Sequence, residues 1–334
     1  MRLITLRKFL ADPDVAIDLG TANTRLYVLG RGLVADEPTL VHATAELNVR
    51  GSEQAGRRQD DLVAPLQGGV VRDVDAAAYL LSGMLKRARR FGLFRSRALV
   101  CVPSGVTSAE RSNLVQAVHR SGVAAVKLVP ETLASAVGAG LDISLPYAQL
   151  IVDIGHGVTD VAVIRSHRLV RARAMRRACG DLRSAVERTV ARRKDLFLYR
   201  REAERLVHES GAVAVIGAAR SLPALGLDRQ GCETKVELSG QEISEAVNPV
   251  INKIVKGIRE TVQGLSPQLA VEVMESGICL TGGGAYLRGL DQLIAAATSI
   301  DVKVAADPLH AAINGASQML ATSAGAELWE SRSL

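Results

Sequence analysis

The chain has 334 residues, 48% of them hydrophobic, and carries 41 Lys and Arg against 35 Asp and Glu for a formal net charge of +6. That length exceeds what one core ordinarily organises, so two lobes are expected, and a mean hydropathy of +0.15 fits substantial burial. No apolar run approaches the ~20 residues of a membrane span, the four cysteines form no C-x-x-C pair and the histidines no ligand cluster. A transmembrane chain, a disulfide framework and a zinc site are therefore not expected, and a reducing cytoplasm is. The basic balance points to acidic partners, either anionic lipid or nucleic acid.

In residues 1–10, Leu3, Leu6 and Leu10 share one helical face with Ile4 and Phe9 beside it, while Arg2, Arg7 and Lys8 lie elsewhere. Asp12-Pro13-Asp14 stops the pattern. So short a helix is marginal in water, but anionic lipid stabilises one of this kind. Leu3, Leu6, Phe9 and Leu10 are thus expected membrane contacts, with a disordered or lobe-packed leader as the alternative. The apolar core is too short and interrupted for a signal peptide.

Val15 to Thr24 brackets one carboxylate with apolar residues and then turns at Gly20-Thr21, which predicts a β-hairpin with Asp18 near its tip. Backbone amides over Gly20, Thr21, Ala22 and Asn23 can face phosphate oxygens, and Asp18 can hold a hydrated magnesium ion; the alternative is a hairpin with a solvated acidic turn. Residues 33–69 are polar and irregular, with Glu53–Asp61 exposed. Helical periodicity returns at Val74–Ala88. After Lys86–Arg90 comes Phe91-Gly92-Leu93-Phe94, a cation-ringed apolar loop that needs an apolar receiver, so Leu93 and Phe94 are further expected membrane contacts, with a loop that folds its aromatics back into the lobe as the alternative.

A buried strand at Ala98–Val102, a helix from Ser108 to about Arg120 and a strand at Val126–Val129 follow. The last delivers Pro130-Glu131-Thr132 to a helix over Leu133–Gly140. The hairpin device then recurs: Leu150–Val152, the turn Asp153-Ile154-Gly155-His156-Gly157-Val158-Thr159-Asp160, and Val161–Ile164. Arg165–Arg177 and Arg183–Arg205 are arginine-rich, read as solvated helix faces, and surround Cys179-Gly180-Asp181. Gly211–Gly231 is weakly patterned. A strand at Thr234–Leu238 precedes the helix-start signal Ser239-Gly240-Gln241-Glu242 and an amphipathic helix to about Val262. Leu265–Ala270 reads as a connection. Ile278–Thr281 is a strand entering Gly282-Gly283-Gly284 and then a helix, whose opening suits an α-phosphate or a close-lying base. A last helix spans about Pro308 to Ala321, before a polar tail at Glu327–Leu334. No internal repeat beyond the two hairpins is visible.

The motifs Ile17–Thr24, Asp36-Glu37-Pro38, Val102–Thr107 with Glu110-Arg111, Ala203-Glu204-Arg205, and Gly277–Gly284 with Leu287–Asp291 run in order over nearly the whole chain. Together they resemble the actin, Hsp70 and sugar-kinase ATPase superfamily, and within it the bacterial actin MreB/Mbl branch. The resemblance implies an α/β, actin-like fold: two lobes with mixed sheets flanked by helices and a nucleotide cleft between them. It divides the chain into a first-lobe core (1–32, 70–145, 308–334) with a small subdomain (33–69), and a second-lobe core (146–181, 246–307) with its own (182–245).

By the same resemblance the ligand is ATP or ADP with Mg2+. Asp18 and Asp153 hold the hydrated ion, and Gly20–Asn23 and Gly155, His156 and Gly157 hold the phosphates. Glu131 orients the attacking water; Gly180, Asp181 and Glu204 lie at the sugar; Gly282, Gly283 and Gly284 take the adenosine side. The implied function is a nucleotide-dependent filament at the inner face of the membrane that organises cell-wall synthesis and cell shape. Its partners would be further copies of the chain, the anionic membrane surface and cell-wall synthesis proteins. No nucleic-acid partner is expected, since no recognition motif or aromatic platform is present.

Three departures stand out. Pro130 and Thr132 flank Glu131 where the family has Glu-Glu-Pro, Gly155–Asp160 replaces Gly-Gly-Gly-Thr-Thr-Glu, and Val207 replaces a lysine near the adenine. Two readings stay open: ATP hydrolysis coupled to polymerisation, weakened at His156, Val158 and Val207, or a nucleotide-binding scaffold with impaired or absent hydrolysis. A protonated His156 touching phosphate is a third idea.

Overall fold

A computed structural model describes residues 14–42, 62–88, 96–210 and 221–321. The expected lipid contacts Leu3, Leu6, Phe9, Leu10, Leu93 and Phe94, the stretch Glu53–Asp61 and the tail Glu327–Leu334 lie outside the described residues. The chain divides into two compact units, Met1–Asp142 with His310–Leu334, and Ile143–Leu309.

The first unit is built on β1 (Val15–Leu19), β2 (Asn23–Val28), β3 (Gly32–Pro38), four two-residue strands β4 (Val41–His42), β5 (Leu62–Val63), β6 (Leu66–Gln67) and β7 (Val70–Val71), β8 (Arg97–Val102) and β9 (Ala125–Pro130). Its main sheet has the order β3-β2-β1-β8-β9, with β1 antiparallel to β2 and parallel to β8. All five residues of β1 are buried, as expected of a central strand covered on both faces. The helix Val74–Ala88 starts where the Asp73 carboxylate accepts from the amide of Ala76 at 2.9 Å, and it ends on Lys86 and Arg87, the charge placement the helix dipole favours. Ala77, Leu81, Met84 and Leu85 on that helix join Ile17, Leu26, Val100 and Ala117 in one core.

The second unit holds β10 (Gln149–Ile154), β11 (Thr159–Arg165), β12 (Arg168–Met175), β13 (Phe197–Leu198), β14 (Ser221–Leu227), β15 (Glu233–Ser239), β16 (Ile278–Thr281) and β17 (Val302–Val304). Its main sheet runs β12-β11-β10-β16-β17, and β13-β14-β15 form a small antiparallel sheet. Strand β10 is antiparallel to β11 and parallel to β16, so strand for strand the sheet repeats the first unit's. The duplication visible in sequence as two hairpins therefore extends to a five-stranded sheet in each unit. The core joins Leu150, Val152 and Val161 to Leu182 and Val186 of the helix Cys179–Lys194 and to Val247, Ile251, Ile254 and Ile258 of the helix Gly240–Gln263.

Several elements differ from expectation for identifiable reasons. Gly32–Pro38, read as irregular, is strand β3; its Asp36 and Glu37 broke the apolar signal. Arg168–Met175 is not a helix face but edge strand β12, whose exposed Arg168, Arg171 and Arg173 are the charged side chains that discourage edge pairing. Ser221–Leu227 is strand β14, with the small residues Ala224 and Gly226 masking an alternation that buries Leu222. Pro267–Ser276 is a helix capped by the Ser266 hydroxyl with Pro267 at its first position. The helix expected from Leu133 begins at Glu131, directly after Pro130. The last two glycines of the run lie in a 3₁₀ turn, Gly283–Tyr286, and the α-helix begins only at Leu290, so the glycines do not open an α-helix.

Candidate functional site

The two hairpin turns are geometric equivalents. Four residues separate the last register pair in each, Leu19↔Thr24 and Ile154↔Thr159. The amide of Gly20 donates to Asn23 O at 3.1 Å, and that of Gly155 to Val158 O at 2.9 Å. Both first glycine amides are thus used in closing the turn, which leaves phosphate binding to the amides after them. A side chain at position 20 would bring its Cβ to 2.7 Å from Asn23 O, so glycine is required there. The first turn is braced by Thr39, whose hydroxyl donates to Gly20 O at 2.6 Å, and by the Gly69 amide donating to Thr21 Oγ1 at 2.9 Å. Each turn follows the carboxyl end of its unit's central strand, the edge where α/β sheets bind ligands.

Behind each turn lies a row of side chains across the sheet. In the first unit the register aligns Asp18, Arg25 and Asp36. Arg25 Nη1 donates to Asp18 Oδ2 at 3.0 Å and its Nε to Asp36 Oδ2 at 3.2 Å. Asn23 Nδ2 reaches Asp36 Oδ1 at 2.9 Å, and His310 Nε2 lies 3.1 Å from Asp36 Oδ2. Burial raises the Asp18 carboxyl above its ordinary value against the pull of Arg25. Partial burial also acts to raise Asp36, but Asn23, Arg25 and His310 outweigh it and hold that carboxyl low.

In the second unit the corresponding row is Asp153, Asp160 and Ala174, with Thr281 on the other side of Asp153. The Thr281 hydroxyl donates to Asp153 Oδ2 at 2.9 Å, fixing the carboxylate as an outer-shell donor does in metal sites. Burial and the nearby Asp153 push the thiols of Cys179 and Cys279 up to about 12 and about 11, so neither supplies a thiolate. A buried, oriented carboxylate without soft ligands fits a hydrated magnesium ion. Asp18 differs, because the Arg25 guanidinium, shared with Asp36, already lies against it.

Most of the second unit's expected nucleotide residues are brought together. Gly155 O accepts from the Cys179 amide at 3.1 Å and His156 O from the Gly180 amide at 2.8 Å; a Cβ on Gly180 would lie 2.9 Å from His156 Nε2. Asp181 Oδ2 accepts from the Ala178 amide at 3.0 Å. Glu204 Oε1 receives Arg200 Nε at 3.1 Å and Arg183 Nη1 at 3.4 Å. His156 faces this cluster. Its burial, then Arg183 and Arg200, lower its pKa to about 4, with Glu204 and Asp181 opposing. The surroundings within the unit thus favour the neutral imidazole, and a cationic phosphate contact would need the bound anion to outweigh burial, Arg183 and Arg200. Val207 packs in the unit's core. Gly282, at φ +79°, would place a Cβ 2.6 Å from Asp153 Oδ1, and a Cβ on Gly284 would collide with Ile154, so the glycine run lies hard against the second hairpin.

Glu131 opens its helix, half-buried, after β9. Strands β1, β8 and β9 are parallel, so it lies at the same edge of the first sheet as Asp18. Sequence reasoning missed Arg25, Asp36 as a partner of Arg25, Thr39, Thr281 and His310. A turn of this length places residue 25 opposite residue 18, so strand-register arithmetic could have found Arg25; nothing local pointed to His310.

Two units of one sheet topology, each with a buried aspartate behind a glycine turn, define an actin-like nucleotide-binding fold. The crystal structure of MreB5 of Spiroplasma citri bound to AMPPNP matches with a TM-score of 0.80 and 30% identity, over 91% of this chain and 94% of that one. The ADP-bound MreB5 structure matches at 0.83 and 28%, over 96% and 99%. The family model for MreB/Mbl protein matches residues 12–327. The chain is 33% identical to the cell shape-determining protein MreB of Escherichia coli strain K12, over 94% of this chain and 96% of that protein. It is 31% identical to the cell shape-determining protein Mbl of Bacillus subtilis strain 168, over 92% and 95%. The chain belongs to the MreB/Mbl family.

Proposed function

We propose that the chain is a nucleotide-dependent, actin-like filament protein, peripheral on the cytoplasmic face of the cell membrane, that organises cell-wall synthesis and cell shape. The observation that carries this reading is the repeated device itself: in each unit the central strand ends in a buried aspartate and a four-residue glycine turn. Relatives solved with AMPPNP and ADP and relatives named for cell shape support it. Self-association, the anionic membrane surface and cell-wall synthesis proteins are the partners. The loop at Leu93-Phe94 and the leader residues Leu3, Leu6, Phe9 and Leu10 would meet the lipid.

The ligand is ATP or ADP. Amides after Gly20 and Gly155 take phosphate oxygens, Gly180, Asp181 and Glu204 the sugar, and Gly282–Gly284 the adenosine side. Bound magnesium would neutralise phosphate charge, with Asp153, oriented by Thr281, holding its water shell. Glu131 orients the attacking water; phosphoryl transfer needs positioning and charge stabilisation more than covalent help.

The test pairs ATP turnover with sedimentation on anionic liposomes, for the wild type, Glu131→Ala and a deletion of residues 1–10. The expected result is turnover lowered by about 10²-fold or more in Glu131→Ala with nucleotide binding kept, and weaker sedimentation for the deletion. Absence of nucleotide binding in the wild type would sink the reading.

A further inference from the structure

The two hairpins agree in turn length and in the placement of their first aspartate, and differ in the residue that stands opposite it. Opposite Asp153 stands Asp160; opposite Asp18 stands Arg25. The Arg25 side chain is only 8% exposed, and its guanidinium is gripped at two points, by Asp18 at 3.0 Å and by Asp36 at 3.2 Å. Asp36 is itself fixed by Asn23, in the turn, and by His310. A guanidinium keeps its charge at any physiological pH, and two acceptors on a planar fork hold it in one orientation.

That arrangement changes what Asp18 can do. A buried carboxylate attracts a hydrated dication where no other cation lies against it; here a side chain of the neighbouring strand already supplies positive charge. A second cation placed beside Asp18 would be repelled by Arg25 in surroundings that screen charge poorly. In the second unit the equivalent register positions carry Asp160 and Ala174.

We propose that Arg25 is a built-in counter-cation of the first phosphate turn, holding at Asp18 the place a hydrated divalent ion would take, so that nucleoside polyphosphate binds with little dependence on magnesium, while turnover keeps its need of the ion at Asp153. The inference rests on the nucleotide-binding reading above. It makes Arg25 a positioning and charge-balancing residue of that site.

The experiment measures affinity for a fluorescent ATP analogue by anisotropy, with magnesium and with EDTA, on the full chain and on Arg25→Leu. The wild-type affinity is expected to change by less than about threefold between the two buffers, and that of Arg25→Leu by more than about tenfold. A wild-type loss above about tenfold in EDTA overturns the inference and leaves the nucleotide-binding reading intact. Equal insensitivity in the wild type and Arg25→Leu also overturns it, because the independence then has another source. No binding in either buffer overturns both. If Arg25→Leu fails to fold, the wild-type comparison and Arg25→Lys, which keeps the charge and should keep the insensitivity, decide the matter.

Discussion

Gly138 and Gly315 meet where the helix Glu131–Gly138 crosses the helix Ala311–Ala321, each occupying the space the other's side chain would need. A Cβ on Gly138 would run into Ala311 O, and one on Gly315 into Ala134 O, both of them backbone atoms that cannot swing aside. The contact draws helices far apart in sequence into one unit and sets the helix that carries Glu131. Gly315→Ala is expected to lower stability by about 1–3 kcal/mol through overpacking, read as a shift of the urea midpoint. A midpoint equal to the wild type would show that the helices are not this close.

His156 gives a pH dependence with a definite sign. Its folded pKa of about 4 lies below the ordinary 6.5, so between those values the unfolded chain binds more protons. Stability from this residue is present above about pH 6.5 and is lost as pH falls toward 4, by on the order of 2 kcal/mol once partial exposure to solvent is allowed for. Imidazole NMR should find His156 neutral at pH 6. His156→Gln should flatten the stability slope in that window; a ring titrating near 6.5 would contradict the burial argument.

Thr281 tests the metal-holding role of Asp153 without touching the carboxylate. Thr281→Val removes the donor 2.9 Å from Asp153 Oδ2 and keeps the volume. The magnesium concentration needed for half-maximal ATP turnover should rise about 10-fold or more, as when other hydrogen-bond partners that orient a metal-holding carboxylate are lost. An unchanged magnesium requirement would separate Asp153 from the ion.

Ser239 anchors the longest helix of the described residues, Gly240–Gln263. Its hydroxyl accepts from the Glu242 amide at 3.2 Å, and its amide donates to Glu242 Oε2 at 2.9 Å. Ser239→Ala should cost about 1 kcal/mol in chemical denaturation while nucleotide affinity stays within twofold or so of the wild type. A large affinity loss would mean that this cap serves the site and not only the helix.

The sequence determined whatever local chemistry encodes. The helix Val74–Ala88 announces itself by periodicity, Ser239 and Glu242 by capping spacing, and both phosphate hairpins by an aspartate at a strand end before glycine. The order of its motifs was enough to point to the family. Tertiary structure decided what depends on register and packing between distant segments. Arg168–Met175 became an edge strand because a neighbouring strand supplied its ladder, against an arginine-rich composition that suggests a solvated helix. His156 has its pKa lowered first by burial and then by Arg183 and Arg200, which two helices bring beside it. Arg25 became the counter-ion of Asp18 because a four-residue turn set the two side by side. His310 then closed the row onto Asp36, a residue 274 positions away. Such pairings are invisible to local patterns, since their energy arises only once burial strips away the water that would otherwise screen them.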